Sequence, residues 1–380
     1  MIPPRNRFYR EALAAGAEPY SRVEVWRQGV QVDELVWVDR RKPYTHNVPT
    51  YFDGSVKATL GSRVTRTMNL TVPSWMYPWA ADDLINPYGT ELRAFKGLRY
   101  GNGTPDEFPC FTGTVEGVSP AQNGVCKVDA ADTALRVAAA GFVAPLPANV
   151  GSLVVDEFER LVLDANPRAQ FGEHDPITTL VPALAYDEDR GAALDSLAKV
   201  ASANWYTLAD GRYVLRWLPW LRASTATAIA LTDGPGGTLV EAYPRRDTDG
   251  IYNQVTVTSD RPDGGTPLYA TASDTDPTSP IWVGGPFSVR TAPPVRVTGA
   301  TEQGQLFALS RALLQRSRIL TSSWNVTCRP DGSIELGDFL DLSYQERRAY
   351  QYAQSFSIPL GPQGNMSIEC RDLAGTEADL

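Results

Sequence analysis

The chain has 380 residues, 43% hydrophobic and 21% charged, with a net charge of −9, and that length exceeds what one core usually supports, so at least two domains are expected. The acidic balance argues against a general nucleic-acid-binding surface, which would be basic. No apolar run reaches the length that spans a bilayer, and residues 1–10, though basic and aromatic, lack the following apolar segment of a secretory signal.

The first third reads as strands. Residues 11–16 fit a short helix, after which Val23 and Val25, then Val30 and Val32, alternate. Either Gln28-Gly29 or Asp33-Glu34 is the turn near them. Val56, Ala58 and Leu60 alternate before Gly61-Ser62, and Met68, Leu70 and Val72 alternate after it. Trp75, Tyr77, Pro78 and Trp79 form an aromatic and proline cluster. Leu92 and Ala94 continue the strands, and residues 111–129 make a hairpin about Asn123-Gly124, the strongest turn dipeptide of the region.

The middle has a helical period. Ser152 is placed to cap a helix whose Val154, Phe158, Leu161 and Val162 share a face, and Asn166-Pro167 ends it. A second helix spans 189–204 with Asp189 as its cap. A hairpin follows, from Trp205 through Asp210-Gly211 to Trp217. Strands return with Ile229 and Leu231, then Val255 and Val257. Residues 258–286, rich in Asp, Pro, Gly, Ser and Thr, read as a long exposed loop. A third helix spans 301–318, with a stripe of Leu306, Leu309 and Leu313.

Residues 334–373 give the clearest β signal in the chain. Tyr350, Tyr352, Phe356 and Ile358 alternate with polar or small residues, Gly361-Pro362-Gln363-Gly364 marks a turn, and Met366, Ile368 and Cys370 alternate with Ser367, Glu369 and Arg371. Thr114, Val125 and Asp129 repeat the spacing of Ser357, Ile368 and Asp372. An echo this short fits chance as well as it fits two related β-domains flanking a helical middle.

Reaction chemistry has little to rest on. The two histidines, His46 and His174, lack partners at metal-binding spacing, and neither HExxH nor GxSxG occurs. Carboxylates cluster at Asp82-Asp83, Asp187-Glu188-Asp189 and Asp274 with Asp276. A glycosidase would need two of them at a set separation, whereas acids before a helix also serve its dipole. The glycine-rich run from Gly97 to Gly103 precedes no Lys-Ser/Thr and reads as a hairpin tip, not a phosphate cradle. The four cysteines, Cys110, Cys126, Cys328 and Cys370, have no CxxC spacing and read as buried free thiols.

Taken together, the order of elements resembles the hub, or tail-associated, proteins at the distal end of phage tails, especially minor tail proteins of actinobacterial siphophages. Residues 194–201 followed by Trp205-Tyr206 and the Asp210-Gly211 hairpin are similar to that family's middle domain. Residues 251–257, with Asn253, Val255 and Val257, resemble the strand after it, and residues 336–342 with the closing 360–372 hairpin resemble its last barrel.

The resemblance implies a mainly β fold with an α/β insertion: two tail-tube-like β-barrels flanking a helix-containing middle domain. The domains would be a first barrel at 1–145, a middle domain at 146–222 and a second barrel at 223–380 that includes helix 301–318. It implies a structural hub of the virion's tail tip or baseplate, assembled in the host cytoplasm. The hub would close the tail tube, connect it to the receptor-binding apparatus and pass DNA along the axis of a homotrimer. Partners would be the distal tail protein or tail tube ring, the tape measure protein and other tail-tip proteins, with no stable DNA binding and no membrane-spanning segment. Strand edges near 111–129 and 350–372 would make the trimer contacts. Because many relatives carry a further C-terminal receptor-binding or enzymatic region and this chain stops at Leu380, the hub alone is expected, with no enzyme activity and no catalytic, cofactor-binding or metal residue. The alternatives are a tail-tip glycan hydrolase using an acidic pair and a carbohydrate-binding adhesin using exposed tryptophans.

Overall fold

Alternating apolar residues at both ends of the chain form strands, and those strands meet across the whole length of the sequence. The computed structural model describes residues 9–42, 48–121, 123–187, 189–222, 228–245, 248, 251–260, 265–298, 302–319 and 323–372. After α1 (Tyr9–Ala15) come β1 (Glu18–Arg27), β2 (Val30–Trp37), β3 (Thr50–Tyr51), β4 (Asp53–Thr59), β5 (Arg66–Pro73), β6 (Thr90–Arg99), β7 (Pro105–Ala121) and β8 (Val125–Asp132). The middle holds α2 (Ala134–Ala139), β9 (Leu146–Pro147), α3 (Val154–Ala165), β10 (Ala185–Tyr186), α4 (Arg190–Val200), β11 (Ala203–Thr207), β12 (Tyr213–Trp217) and α5 (Pro219–Arg222). The remainder supplies β13 (Ile229–Thr232), β14 (Leu239–Arg245), β15 (Gln254–Asp260), β16 (Leu268–Ser273), β17 (Val295–Thr298), α6 (Gln303–Ile319), β18 (Ser323–Cys328), β19 (Phe339–Tyr344), β20 (Arg347–Pro359) and β21 (Met366–Asp372).

One 14-stranded sheet runs β14-β18-β21-β20-β4-β5-β8-β7-β6-β1-β2-β3, with β19 also on β20 and β13 on β19. The joint is β20. Its first half pairs with β19, from Tyr344↔Arg347 to Phe339↔Tyr352. Its second half pairs with β4, from Ser355↔Thr59 to Pro359↔Ser55, while β21 runs along its other side. Residues from both ends of the chain therefore share one core, which includes Val23, Leu70, Phe111, Val326, Leu340 and Phe356. No closed barrel forms among the described residues, and strands from the segments 1–145 and 223–380 contribute to this one core. Period-two alternation fixes which face of a strand is buried, but it carries no record of which backbone edge the strand meets.

Turn chemistry explains the local connections. Gln28 and Gly29 (φ 49° and 81°) join β1 to β2, and Asn123 and Gly124 (φ 68° and 70°) join β7 to β8. Positive φ at both central positions is the hairpin geometry that matches strand twist. Asp33-Glu34, the other candidate turn, lies inside β2. The spacing echo has no structural counterpart, because Thr114 stands opposite Ala131 whereas Ser357 stands opposite Ser367. The segments 111–129 and 350–372 lie largely in interior strands whose two edges are both used within the chain. Among the described residues, the open edges of the large sheet are those of β14 and β13 at one end and most of β2 at the other.

The middle forms a second core around Phe158, Leu161, Leu194, Leu197, Trp205 and Leu215. Ala134 and Val137 of α2 pack into it as well. Asp189 caps α4 as expected, accepting from the Ala192 N–H at 3.0 Å. The helix ends at Val200, short of 204, because Ser202 at φ 51° turns the chain into β11. Ser152 does not cap α3; Leu153 holds that position, and the Ser152 hydroxyl donates to the Asn149 carbonyl at 2.7 Å.

Within the expected loop at 258–286, residues 258–260 and 268–273 are strands of a small α/β module, while 274–286 is turns and irregular chain. Sheet β16-β15-β17 packs against α6 through Val255, Val257, Ala270, Ala272, Leu306 and Leu314. β16 alternates with alanines, too small to stand out among polar neighbours. Helix α6 thus covers this module and is not a layer of the large sheet. The module is inserted between β14 and β18, whose ends Arg245 and Ser323 are paired.

Candidate functional site

The residues weighed for chemistry are scattered and occupied with local structure. Asp83 accepts from the N–H groups of Trp79 (2.6 Å) and Ala80 (2.7 Å). Asp189 caps α4 and pairs with Arg63 at 3.0 Å. Asp274 is buried and accepts from the Ser279 hydroxyl, and Asp276 accepts from Thr278. His174 accepts the Leu215 N–H at Nδ1 (2.8 Å) and bonds Glu159 through Nε2 (3.0 Å), so it ties α3 to β12. His46 and Glu188 lie outside the described residues. The glycine run is the β6–β7 hairpin tip, closed by the Tyr100 N–H on the Thr104 carbonyl. All four cysteines are free and buried, and burial pushes the Cys110 thiol up to about 12. No group of three or more His, Cys, Asp or Glu among the described residues could hold a metal, and no described helix is long and apolar enough to cross a membrane.

What sequence reasoning missed is a buried polar cluster where the large sheet meets the middle core. Arg66 on β5 is 1% exposed. Its N–H donates to Asp132 (2.7 Å), and its guanidinium donates to the Cys110 carbonyl (3.3 Å) and to Glu335. Asp132 also accepts the Thr207 hydroxyl (2.7 Å), and Glu335 accepts the Ala209 N–H (3.3 Å). Four stretches distant in sequence thus converge on one cation. A single Arg inside an alternating strand was the only available signal.

Burial dominates the protonation of this cluster. It raises Asp132 to about 6, against the hydrogen bonds from Thr207 and the Arg66 N–H, and it raises Glu335 despite Arg66. A carboxyl with a raised folded pKa contributes stability that is fully present below its unfolded pKa and is lost as pH rises through the folded value. Asp132 should therefore favour folding at pH 4 and lose that contribution as pH passes about 6. Asp132→Asn should remove roughly 1–3 kcal/mol of pH dependence from urea unfolding compared at pH 5 and pH 8. An unchanged slope would assign it wholly to Glu335 and Asp331, which burial also raises.

A second set of contacts binds the β20–β21 turn to the first third. The buried Lys96 ammonium donates to the Gly361 carbonyl at 2.8 Å, and burial lowers its pKa to about 8. The Tyr51 hydroxyl donates to the Leu360 carbonyl at 3.0 Å.

Two surface features remain. The loop between β5 and β6 presents Trp79 and Tyr88, each 87% exposed, on a frame held by Asp83 and by Asn86, which donates to the Ala80 carbonyl. A cleft of about 460 Å³ opens between the turn at residues 61–63, the end of α4 with β11, and the β17–α6 side of the small module.

No protein-family model matches the sequence, and no curated protein sequence matches it. Solved structures do match its fold. A tail protein from Neisseria meningitidis MC58 aligns with TM-score 0.61 and 12% identity over 93% of this chain and 96% of its own. The 43 kDa tail protein of prophage MuSo2 from Shewanella oneidensis gives 0.59 and 12% over 93% and 98%. A prophage tail protein from Listeria monocytogenes EGD-e gives 0.55 and 10% over 94% and 95%. Along nearly its whole length, then, the chain has the fold of phage tail proteins.

Proposed function

We propose that the chain is a structural hub protein of a distal phage tail, acting as a homotrimer that closes the tail tube and connects it to the receptor-binding apparatus. The observation that carries this reading is the fold shared end to end with three prophage or bacterial tail proteins, each covered over at least 95% of its own length. The large sheet adds a physical reason for assembly. Its open edges at β14 and β2 expose Val240, Tyr243, Val30 and Val32, and unpaired strand edges seek partners. Because the two edges differ, joining one to the other is a head-to-tail contact, which closes into a ring where the rotation allows. The neighbours in the particle would be a distal tail protein or tail tube ring, the tape measure protein and other tail-tip proteins. The aromatic loop with Trp79 and Tyr88 suits such a contact, since rigid exposed aromatics make strong interface anchors. A net charge of −9 suits DNA that passes through and is not held. The role is structural and not catalytic in this reading.

The test is a reconstruction of the tail tip that contains this chain. Three copies about the axis are expected. Six copies, or one copy off the axis, would overturn the reading.

A further inference from the structure

We propose that the cleft beside β17 takes an extended peptide segment as a fourth strand of the small sheet, with a carboxylate of that segment set against Lys199. The sheet ends at β17, and among the described residues nothing pairs with its outer edge. Val295 and Val297 of β17 and Leu309 and Leu313 of α6 all line the cleft. The apolar surface under α6 therefore continues past the last strand, to where the side chains of a further strand would lie. An open edge offers N–H and C=O groups in a row, and strand addition satisfies them while alternate side chains enter the apolar wall. This is what selects a peptide over a simple amphiphile, which would leave those groups unmatched.

Charge on the opposite wall selects the kind of peptide. Arg63 is committed to Asp189 (3.0 Å) and Asp195 (2.9 Å). Asp195 is further held by the Trp205 indole N–H at 2.8 Å. Lys199 is exposed and forms no ion pair with a carboxylate among the described residues. The vacant position thus faces one available cation, which an acidic side chain would match. The volume of about 460 Å³ falls within the roughly 300–1,000 Å³ of ligand pockets.

The test uses the full chain and three labelled eight-residue peptides: one alternating valine with threonine and glutamate, one with lysine in place of glutamate, and the acidic one N-methylated at alternate residues. Fluorescence anisotropy should give binding of the acidic peptide, about tenfold weaker binding of the basic one, and none of the N-methylated one. Hydrogen exchange should show protection at residues 295–298. Lys199→Glu should leave the melting temperature unchanged and reverse the preference between acidic and basic peptides. The proposal is overturned if the acidic peptide does not bind, if it binds without protecting 295–298, or if the N-methylated peptide binds equally. Binding of dodecanoate with the same Lys199 dependence and no amide protection would make the cleft an amphiphile pocket and equally overturn it.

Discussion

Ile368→Asp should leave the protein unfolded or insoluble. Ile368 is 2% exposed and stands between Val326 on β18 and Phe356 on β20. A carboxylate there has no partner, and its desolvation plus the lost packing should cost about 4 kcal/mol or more. That is a large share of a typical folding free energy of roughly 5–15 kcal/mol. Ser367→Asp, one residue away on the exposed face, should change stability by no more than about 0.5 kcal/mol. Soluble yield, far-ultraviolet circular dichroism and a thermal melt of both variants check the pair. Equal melting would mean that the register of β21 is wrong.

Arg66→Met should be the next most damaging change. It leaves the Glu335 carboxylate buried without its cation and strips Asp132 of nearby positive charge. Removing one partner of a buried ion pair typically costs about 3–5 kcal/mol. Adding Glu335→Gln, which retains an acceptor for the Ala209 N–H, should recover most of that loss, because the penalty lies in the unpaired charge and not in the missing attraction. Denaturant unfolding of the single and double variants forms the cycle. A cost below about 1 kcal/mol for Arg66→Met would show that the cluster is not holding the sheet to the middle core.

The sequence was most legible where a pattern is local. The alternation of Met366, Ile368 and Cys370, the Asn123-Gly124 turn and the Asp189 cap all depend on residues within a few positions of each other, and each lies in the structure as expected. Contacts between remote segments left little trace. Nothing near Val56 or Ile358 states that β4 and β20 pair, so the joining of the chain's two β segments in one sheet was not legible. The α/β module escaped because the alanines of β16 carry too little apolar signal. The cluster around Arg66 escaped because a strand's buried face is normally read from its apolar residues, and its cation becomes sensible only with Asp132 and Glu335 beside it. The lone His174, which had no sequence partner to give it a role, spends its two ring nitrogens on Leu215 and Glu159.

The pairing of β4 with β20 also sets a clock on synthesis. Leu60 and Gln354, which bond just past the end of that ladder, are 294 residues apart. At roughly 5–20 residues per second on the ribosome, the second edge of β4 waits for some tens of seconds before its partner emerges. During that interval the first third can pair β4 with β5, yet it presents a long, alternating, unpaired edge to every other nascent chain nearby. Slow expression should therefore harm yield more than slow refolding does, and a short peptide spanning residues 351–359, supplied early, should act as a temporary shield.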